Sequence, residues 1–366
     1  MRIAVIHHNS DLDNDYGAYL STLLDEVCSE NGYPVKEHFL LRLRKEQVTG
    51  KNVVIHFLIN TQNPLSLAYW YNLKLPKLLK KYGIEKVISL TAIPVKTNVP
   101  QLLLIGDAKI FEPGKKTILQ KAALKKLMKK VPEQATFLTY SNVVKQELQN
   151  RLGINEERVQ CVTYSAPPVF HPREWHDKLY LKSRYSENKE YFLCFLREDD
   201  VDLFVLLLKS FSVFKKWQNS SMKFLILPKE ESLSGKMKDK LNTYKYREDV
   251  SLIEDAENRE VAEIVSAAYA LLHFPVSDSD LWAVTVAMIS AVPSICGYTK
   301  SSREYVKNGG IILEEKDPKT IGQALINIYK NEQERTKMAD EAEENSVPYL
   351  HKYVAANLAA LMGILP

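Results

Sequence analysis

Glycine is scarce in this sequence, and cysteine is sparse and scattered. The chain has 366 residues but only 13 glycines, about half the usual share of roughly 7%. Few glycine-rich loops of the kind that cradle phosphates can therefore be present. The four cysteines are isolated at Cys28, Cys161, Cys194 and Cys296, without the short spacings of metal ligands. We expect all four to be small core residues.

Long apolar runs and a strong charge of one sign are also absent. No apolar run approaches the roughly 18 residues that span a bilayer, and the N-terminal MRIAVIHHNS fits a buried first strand better than a signal peptide. The formal net charge is only +4, and no basic stripe interleaved with aromatic residues indicates nucleic-acid binding. With 45% hydrophobic and 26% charged residues, the composition is typical of a globular protein, and we expect a cytoplasmic one.

Short apolar runs alternate with amphipathic segments along the chain, which indicates βαβ units around mostly parallel sheets. The predicted strands of the first half are RIAVI, VVIHFLI, KVISL, QLLLI, TFLTY and RVQCV. Those of the second half are YFLCFL, KFLILP, VSLIE, ALLHFP, PSICG and GIILE. Helices are predicted over residues 16–31, 65–82, 142–152, 202–216, 259–268, 281–291, 318–331 and 332–344. The sequence therefore predicts an α/β protein.

The length favours two domains, and a proline-rich connector marks the boundary between them. The segment APPVFHPREWHDK contains Pro167, Pro168 and Pro172, which stiffen an extended chain. The C-terminal segment is helical and apolar on one face, and it either closes the second domain or packs back on the first. The predicted divisions are a first domain over 1–170, a linker over 171–186, a second domain over 187–345 and a C-terminal helix over 346–366.

Four segments carry, in order, a resemblance to a known family. They are NPLSLAYWYNLKLPKLLKKYGIEKVISL, TYSNVVKQELQNRLGINEERVQCVTYSAPPVFHP, REVAEIVSAAYALLHFPVSDSDLWAVTVAMISAVPSIC and SSREYVKNGGIILEEKDPKTIGQALINIY. The first is similar to a first-domain helix and strand, the second to the passage that closes that domain, the third to a donor-site passage, and the fourth to the strand and helix that follow it. Together they resemble the GT-B glycosyltransferases, in particular the retaining family 4.

The resemblance implies a GT-B fold, in which two Rossmann-like domains with parallel sheets face a cleft. It also implies a nucleotide-sugar donor held mainly by the second domain and a glycan or lipid-linked acceptor bound by the first. No metal and no other cofactor is expected, because cationic side chains and helix N-termini neutralise the departing diphosphate. The implied chemistry is electrostatic stabilisation of the leaving group and of an oxocarbenium-like sugar.

The family places a basic pair, an arginine and a lysine, after the first strand of the second domain. Arg197 matches the arginine, whereas Asp202 stands at the lysine position, unless a shifted register brings in Lys209 or Lys189. Two unit charges about 4 Å apart interact by roughly 4 kcal/mol at an effective dielectric constant of 20, so an anion here opposes diphosphate binding. Arg197 therefore either contacts the diphosphate or pairs with the acidic turn that follows it.

The family also has two glutamates eight positions apart in its donor site. Asp278 falls on the first and Val286 on the second, and valine has no acceptor for ribose hydroxyls. Two interpretations of the SDSD turn remain open. Asp278 either contacts the donor sugar, or it caps the following helix together with Ser279 and Asp280.

In the first domain the resemblance points to a His-Asp pair and to a glycine turn. Gly106 stands in the histidine position and Asp107 is kept; Asp107 either faces the cleft as a catalytic residue or caps local backbone. The glycine turn near the donor phosphates is reduced to Gly17, which lies among acidic residues. At the end of the first strand, His7 and His8 are expected to be buried and neutral.

Smaller matches complete the set of candidate residues. Ser141 and Lys145 keep the spacing of a strand-end serine and the basic residue that follows it, and Glu304 matches the glutamate that starts the next helix of the second domain. Ser301 and Ser302 either donate hydrogen bonds to a phosphate or cap that helix. We include Ser141, Ser301, Ser302, Glu304 and Gly17 with Arg197 as candidate donor-binding residues.

A lysine-rich stretch, GKKTILQKAALKKLMKKVP, surrounds an apolar stripe. Lys115 to Lys130 either contact an anionic membrane that carries a lipid-linked acceptor or form a solvated face above a core-directed stripe. The first alternative places the protein at the inner face of the membrane as a peripheral protein.

Two functional hypotheses follow. The first is an active, metal-independent retaining hexosyltransferase of polysaccharide biosynthesis that acts on a cell-envelope glycan or lipid-linked acceptor. The second is a non-catalytic member of the fold, serving as a binding or partner subunit for an active glycosyltransferase. Fold does not separate the two, because function lies in the site. The combined replacement of the family's lysine, second glutamate, histidine and glycine turns favours the second hypothesis.

Overall fold

The computed structural model describes residues 1–8, 15–39, 51–61, 63–90, 92–105, 133–197, 199–217, 219–228 and 235–364. The chain divides into two compact units: Met1–Tyr164 with Lys352–Pro366, and Ser165–His351. Among the described residues, no helix is both long and apolar enough to cross a membrane.

The first unit contains a sheet of seven described strands in the order β2-β3-β1-β4-β5-β6-β7, and every neighbouring pair is parallel. Its strands are β1 (Arg2–His8), β2 (Val35–Phe39), β3 (Val53–Ile59), β4 (Lys86–Ser89), β5 (Gln101–Leu104), β6 (Ala135–Thr139) and β7 (Val159–Cys161). The described helices of its N-terminal part are α1 (Asp15–Glu30), α2 (Pro64–Tyr69), α3 (Leu75–Lys81) and α4 (Asn142–Leu152), and a π-helical turn over Trp70–Lys74 joins α2 to α3.

The inner strands of this sheet were predicted because they are continuous apolar runs, as expected of parallel strands buried on both faces. In β1, Ile3, Ala4, Val5 and Ile6 are fully buried. The segment VKEHF, which forms β2, was not predicted. It lies at the edge of the sheet and has no continuous apolar run, so hydrophobic patterning alone does not distinguish it from a loop.

The helix predicted over 65–82 is present as three consecutive pieces. Asn63 begins it, since its side-chain oxygen accepts the N–H groups of Leu65 at 2.9 Å and Ser66 at 3.3 Å. The π turn ends at Lys74, two positions before Pro76, whose missing N–H cannot continue the α-helical pattern of hydrogen bonds. The N–H of Leu75 instead reaches back to the carbonyl of Trp70. Proline thus changes the local winding without ending the helical segment.

The second unit contains a sheet of six described strands in the order β10-β9-β8-β11-β12-β13, again entirely parallel. Its strands are β8 (Tyr191–Leu196), β9 (Lys223–Pro228), β10 (Val250–Leu252), β11 (Ala270–His273), β12 (Ser294–Gly297) and β13 (Gly310–Leu313). Its described helices are α5 (Trp175–Tyr185), α6 (Val201–Trp217), α7 (Gly235–Asn242), α8 (Asn258–Ser266), α9 (Trp282–Ile289), α10 (Lys300–Val306), α11 (Pro318–Lys330) and α12 (Glu332–Ser346).

The connector between the units differs from the predicted linker over 171–186. Most of that segment is helix α5, which groups with the second unit. Pro172 lies ahead of this helix, and WHDKLYLKSRY contains neither proline nor glycine, so nothing in it opposes a helix. The last helix, α13 (His351–Met362), groups from Lys352 onward with the first unit. There Asn357 donates to the carbonyl of Cys161 at 3.0 Å.

Two histidines and an aspartate form a buried polar cluster inside the first unit. His7 on β1 and His56 on β3 are 6% and 7% exposed, and their rings stack with centroids 4.8 Å apart. His7 Nε2 lies 2.7 Å from His56 Nδ1, and His56 Nε2 lies 2.8 Å from Asp25 Oδ1 on α1. Within the described part of the chain, no group of His, Cys, Asp and Glu has the arrangement of a metal site.

Burial in this cluster and, to a smaller extent, the neighbouring His56 lower the pKa of His7 to about 4, while Asp25 acts in the opposite direction. The expectation of a buried, neutral His7 is therefore confirmed. Cys28 lies in the same region, where burial and the nearby Asp25 raise the pKa of its thiol to about 12. Both side chains are uncharged at neutral pH, as their buried positions require.

The second unit brings two helices into close contact at a glycine. Gly322 on α11 faces Val213 on α6, and a Cβ added at Gly322 would lie 2.6 Å from Val213 Cβ and 3.0 Å from the carbonyl oxygen of Ser210. The core beside this contact includes Phe204, fully buried in α6. Glycine at 322 thus sets the distance between the two helices.

We expect Gly322→Ala to lower the free energy of unfolding by about 1–3 kcal/mol, because the added methyl overpacks the contact between α6 and α11. Alanine's greater helix propensity offsets about 1 kcal/mol at most. Gly235→Ala is the matched control, since nothing lies within 4 Å of the added Cβ. Urea unfolding measures both variants, and equal stability of the two would contradict the packing argument.

The His7 cluster predicts a pH-dependent stability. The pKa of His7 is lower in the folded protein than the ordinary value of 6.5, so the unfolded chain takes up the proton first as the pH falls. Stability should be full above pH 6.5 and decrease by about 3 kcal/mol as the pH approaches 4. Urea titrations at several pH values between 7 and 4 measure this slope.

His7→Gln should flatten the pH dependence between pH 6.5 and 4, because the titrating ring is gone. His176→Gln serves as its control, since the His176 side chain is 77% exposed and lies in the second unit. This control should keep the wild-type slope. A slope unchanged in His7→Gln would exclude His7 as its source.

Candidate functional site

The strand order of the second unit locates a candidate site. From β8 the chain proceeds to β9 and β10 on one side, whereas β11, β12 and β13 lie on the other. In an open parallel sheet, ligands bind beyond the carboxyl ends of the strands at such a reversal. We call this region the switch-point edge. It comprises the described residues of the loop after β8 (197 and 199–200), the loop after β11 (274–281) and the loop after β12 (298–299).

The loop after β8 places Arg197 at this edge, and a carboxylate folds the loop. The backbone N–H of Arg197 donates to Asp200 Oδ2 at 3.0 Å, and the N–H of Asp200 returns to the Arg197 carbonyl at 3.2 Å. The Asp200 carbonyl then accepts the N–H of Phe204 at 2.9 Å, at the start of α6. Asp200 thus forms the turn at a place where other proteins have a glycine-rich loop. Its carboxylate accepts a hydrogen bond from a backbone N–H.

None of Asp202, Lys209 and Lys189 supplies a second cation beside Arg197. Asp202 is exposed in the first turn of α6. Lys209 lies in the middle of that helix, roughly 10 Å further along its axis. Lys189 precedes β8, at the opposite end of the strand, and pairs with Glu187 at 3.1 Å. A shifted register therefore does not restore the basic pair.

The loop after β11 is folded by a buried aspartate and a buried histidine. Asp280 Oδ2 accepts the N–H of Val276 at 3.2 Å. His273 Nε2 lies 2.6 Å from the Asp280 carbonyl oxygen and 3.7 Å from its Oδ1, and both residues are 3% exposed. The sequence offered capping of the next helix as the role of the SDSD turn. That interpretation is wrong for Asp280, because the N-cap of α9 is Leu281, which makes no side-chain capping bond.

Asp278 lies in the same loop, next to the beginning of α10. It is partly buried, and its Oδ1 is 3.5 Å from the backbone nitrogen of Ser301. The resemblance marks both Asp278 and Ser301 as candidate site residues, and the fold brings the loop after β11 next to the start of α10, which follows the neighbouring strand β12. Of the four polar residues in SDSD, Asp278 is the carboxylate that the structure places against another predicted site residue.

Ser302 has a capping role. Thr299 and Ser302 form a reciprocal capping box at the start of α10. The Ser302 hydroxyl accepts the N–H of Thr299 at 2.7 Å and donates to the Gly297 carbonyl at 2.9 Å. Of the two roles left open for Ser302, the structure supports helix capping. Ser301 beside it is fully buried, and Glu304 lies partly buried in the middle of the helix.

Val286, which stands at the position of the family's second glutamate, is fully buried inside α9. Its side chain belongs to the core and does not reach the switch-point edge. Helix α9 is buried along most of its length, from Ala283 to Ile289. A carboxylate at 286 would be buried as well, so the valine fits this helix as it packs here.

Aromatic residues that the sequence did not single out surround the edge. The Trp282 ring packs edge-on against Phe195 and Phe170, with centroids 5.4 Å and 6.1 Å away. Phe274, the first residue after β11, carries Lys316 Nζ over its ring at 5.8 Å. Lys316 comes from the loop after β13, so only the strand order brings this cation to Phe274. The signal in the sequence that could have identified Phe274 and Trp282 is their position on either side of the predicted turn.

The predicted residues of the first unit are dispersed. Ser141 is a fully buried N-cap of α4, and its hydroxyl accepts the N–H of Val144 at 3.3 Å. Lys145 pairs with Glu156 at 3.1 Å. Gly17 is the third residue of helix α1 and does not form the glycine turn that the resemblance suggested. Asp107 lies outside the described residues, as do Gly106 and the stretch from Lys115 to Lys130.

Neither a protein-family model nor a curated protein sequence matches the chain. Solved structures do match it. A glycosyltransferase from Rickettsia africae has a TM-score of 0.71 at 12% identity, over 99% of this chain and 98% of that one. WaaG, a glycosyltransferase involved in lipopolysaccharide biosynthesis, has the same TM-score and identity, over 99% and 100%. Anabaena HepE, in complex with UDP-glucose, has a TM-score of 0.68 at 10% identity over both full lengths.

These likenesses concern the fold, because identities of 10–12% leave the site residues to be judged on their own. Both sheets are entirely parallel, and helices alternate with their strands. The fold predicted from the sequence is therefore confirmed: the chain consists of two parallel-sheet α/β domains of the GT-B kind.

Proposed function

We propose that the protein transfers a sugar from a nucleotide-sugar donor to a glycan or lipid-linked acceptor, with retention and without a metal, as a divergent member of glycosyltransferase family 4. One observation carries the proposal. Arg197 and Asp278, assigned to the donor site from sequence alone, lie in the loops after β8 and β11, the two strands between which the sheet reverses its order. A nucleotide bound to this fold is expected at that position.

The matched structures support the class of donor. HepE has been crystallised with UDP and with UDP-glucose, and TarM of S. aureus with UDP and a glycan. We therefore propose a uridine nucleotide-sugar as the first donor to test. The same comparison supports the proposed glycan or lipid-linked acceptor, because WaaG takes part in lipopolysaccharide biosynthesis.

In the proposed reaction the Arg197 guanidinium binds the donor diphosphate, with Lys316 as a second cation at the same edge. The bond from the anomeric carbon to the diphosphate oxygen breaks, and a bond to the acceptor hydroxyl oxygen forms on the same face. The hydroxyl proton leaves with the diphosphate. Asp278 accepts a hydrogen bond from the sugar and faces the positive charge that develops on it. Asp107 of the first unit is the second proposed catalytic residue.

The remaining candidates have supporting roles in this proposal. Ser301 and Glu304 on α10 are proposed donor contacts, and Gly17 on α1 is kept as a donor-binding candidate. Ser302 and Ser141 contribute by capping α10 and α4, which fixes where these helices begin. The proposed location is the cytoplasmic face of a membrane, with Lys115 to Lys130 as a peripheral contact.

A second candidate function, a non-catalytic partner subunit, is favoured by the acidity of the same edge. Asp199, Asp200 and Asp202 surround Arg197 in sequence, and Asp200 already uses that residue's backbone N–H. Each carboxylate near a diphosphate opposes its binding. In addition, the buried Val286 offers no hydrogen-bond acceptor to a ribose. A partner subunit would keep the fold but would no longer bind the donor.

We expect UDP or UDP-glucose to raise the melting temperature of the protein, because a ligand at a hundredfold over its Kd adds about 2.7 kcal/mol of stability. Arg197→Ala should abolish this stabilisation. The variant removes the guanidinium but keeps the backbone N–H that donates to Asp200, so the loop retains its hydrogen bond. Thermal shift with UDP, GDP, ADP and their sugars is the measurement.

Arg247→Ala is the matched control, since Arg247 precedes β10 at the opposite edge of the sheet and pairs with Glu248 at 3.2 Å. It should keep the full nucleotide response. No stabilisation by any nucleotide would exclude the transferase and leave the partner subunit. Nucleotide binding without release of UDP in the presence of acceptor glycans would also favour the partner subunit.

A further inference from the structure

Helix α5 of the second unit exposes three large apolar side chains. Trp175, Leu179 and Tyr180 are 74%, 42% and 68% exposed, and no aromatic side chain in the described part of the chain is more exposed than Trp175. Tryptophan and tyrosine carry much of the binding energy of protein interfaces when they are buried there. The outer face of α5 is therefore a candidate contact surface.

The inner side of α5 is anchored, so the exposure of its outer face does not arise from a loosely packed helix. Leu181 is buried, and the Tyr185 hydroxyl donates to Glu263 on α8 at 2.9 Å. Arg184 pairs with Glu263 at 3.3 Å and with Glu260 at 3.5 Å, while half of its side chain stays exposed. A helix held in this way loses little conformational freedom when its outer face is covered.

The exposed positions of α5 are distributed symmetrically along the helix. They are Trp175, His176, Leu179, Tyr180, Ser183 and Arg184. The midpoint lies between positions 179 and 180. Position 175 is as far before this midpoint as position 184 is after it, and the same holds for positions 176 and 183. Every exposed position thus has an exposed counterpart on the other half of the helix.

Two copies of α5 that lie antiparallel about this midpoint bring compatible side chains together. A two-fold axis through the midpoint places His176 of one copy level with Ser183 of the other, in the middle of the exposed face. Their side chains can form a hydrogen bond. Leu179 and Tyr180 lie on either side of that middle, about 1.5 Å apart along the helix, so each meets its own counterpart. Apolar surface therefore contacts apolar surface at the centre.

The charges of α5 favour the same antiparallel arrangement. Asp177 is in the first turn of the helix, whereas Lys182 and Arg184 are in the last. In the antiparallel pair, Arg184 of one copy shares a flank with Asp177 of the other, and Trp175 shares the opposite flank with Lys182. A guanidinium attracts a carboxylate, and an ammonium group attracts an indole ring. A parallel copy would set like charges side by side.

We propose that the outer face of α5 is the contact surface of a homodimer, in which two copies of the helix pack antiparallel across a two-fold axis. The occupant of the face is a second copy of the chain, because its exposed positions and its charges are both arranged symmetrically about one midpoint. A two-fold contact requires that arrangement, since the same patch serves both copies. A different protein would impose no symmetry on the face.

The size of the face sets the strength of the expected dimer. Each aromatic side chain buries about 150–250 Å² in a contact, so two tryptophans and two tyrosines supply roughly half of the about 1,200 Å² at the lower end of specific interfaces. The flanking side chains supply the remainder. We therefore expect a dimer that dissociates in the micromolar range.

This surface is separate from the switch-point edge. Helix α5 precedes β8, and the edge consists of loops after β8, β11 and β12. The contact goes beyond the proposed function and needs no nucleotide, so its test does not depend on donor binding.

The test is sedimentation velocity of the full chain without nucleotide, over a concentration series that spans the micromolar range. The wild type should shift from monomer to dimer as its concentration rises. Trp175→Ser with Tyr180→Ser should raise the Kd of the dimer at least about tenfold, because both aromatic anchors are lost from each copy. Both side chains are exposed, so the melting temperature of the diluted variant should equal that of the diluted wild type.

Leu65→Ser with Tyr69→Ser is the matched control. These two side chains are 82% and 51% exposed, on helix α2 of the first unit. The control removes a similar amount of exposed apolar surface and should dimerise as the wild type does.

Oxidative cross-linking tests the midpoint independently. Leu179→Cys should form a disulfide-linked dimer, because the two copies of position 179 lie next to each other across the axis. The two copies of position 176 lie seven residues apart along the helix, roughly 10 Å, which exceeds the Cα separation that a disulfide spans. His176→Cys should therefore remain monomeric on a reducing-agent-free gel, as should the wild type, whose described cysteines are mostly buried.

Four results would overturn the proposal. They are a wild type that stays monomeric throughout the series, undiminished dimerisation of the serine variant on α5, an equal loss in the control on α2, and cross-linking of His176→Cys as efficient as that of Leu179→Cys. The first would leave a different protein as the partner of this face.

Discussion

A parallel sheet covered by helices on both faces can carry polar side chains only where its strands end or where those side chains satisfy one another. Both sheets of this protein obey that constraint. All six residues of β8 are buried, from Tyr191 to Leu196, and the first charged residue after them is Arg197. The exception inside the first sheet is the pair His7 and His56, whose ring nitrogens meet at 2.7 Å and whose burial keeps His7 neutral.

Because chemistry is confined to strand ends, the loops at those ends decide what the protein can bind. Here they are folded by aspartates. Asp200 holds the loop after β8 through the N–H of Arg197, and Asp280 holds the loop after β11 through the N–H of Val276. In both loops a side-chain carboxylate, and not a glycine, fixes the turn by accepting a backbone N–H. The cost is that backbone donors suited to a phosphate are already occupied.

That substitution connects the two functional candidates. In the proposed function, Arg197 and Lys316 are the cationic partners of a diphosphate at the switch-point edge, which also carries the carboxylates of the loop after β8. Asp278 Oδ1 lies 3.5 Å from the backbone nitrogen of Ser301, and the proposal assigns the sugar contact to Asp278. The same fold thus supports donor binding through side chains and opposes it through loop charge, and the balance between them separates a transferase from a partner subunit.

The sequence alone determined the two-domain parallel α/β architecture, because apolar strands and amphipathic helices alternate with clear periods. The family resemblance singled out Arg197 and Asp278 as candidates, and both lie in loops that follow strands of the second sheet. The sequence did not identify β2, which lacks an apolar run. It also did not identify helix α5, because the prolines just before that segment favoured an extended linker. Only tertiary structure decided that Asp280 folds its own loop with His273, that Ser302 caps a helix, and that Trp175, Leu179 and Tyr180 face solvent. Each of these depends on which segments become neighbours, and hydrophobic periodicity carries no information about partners that are distant in sequence.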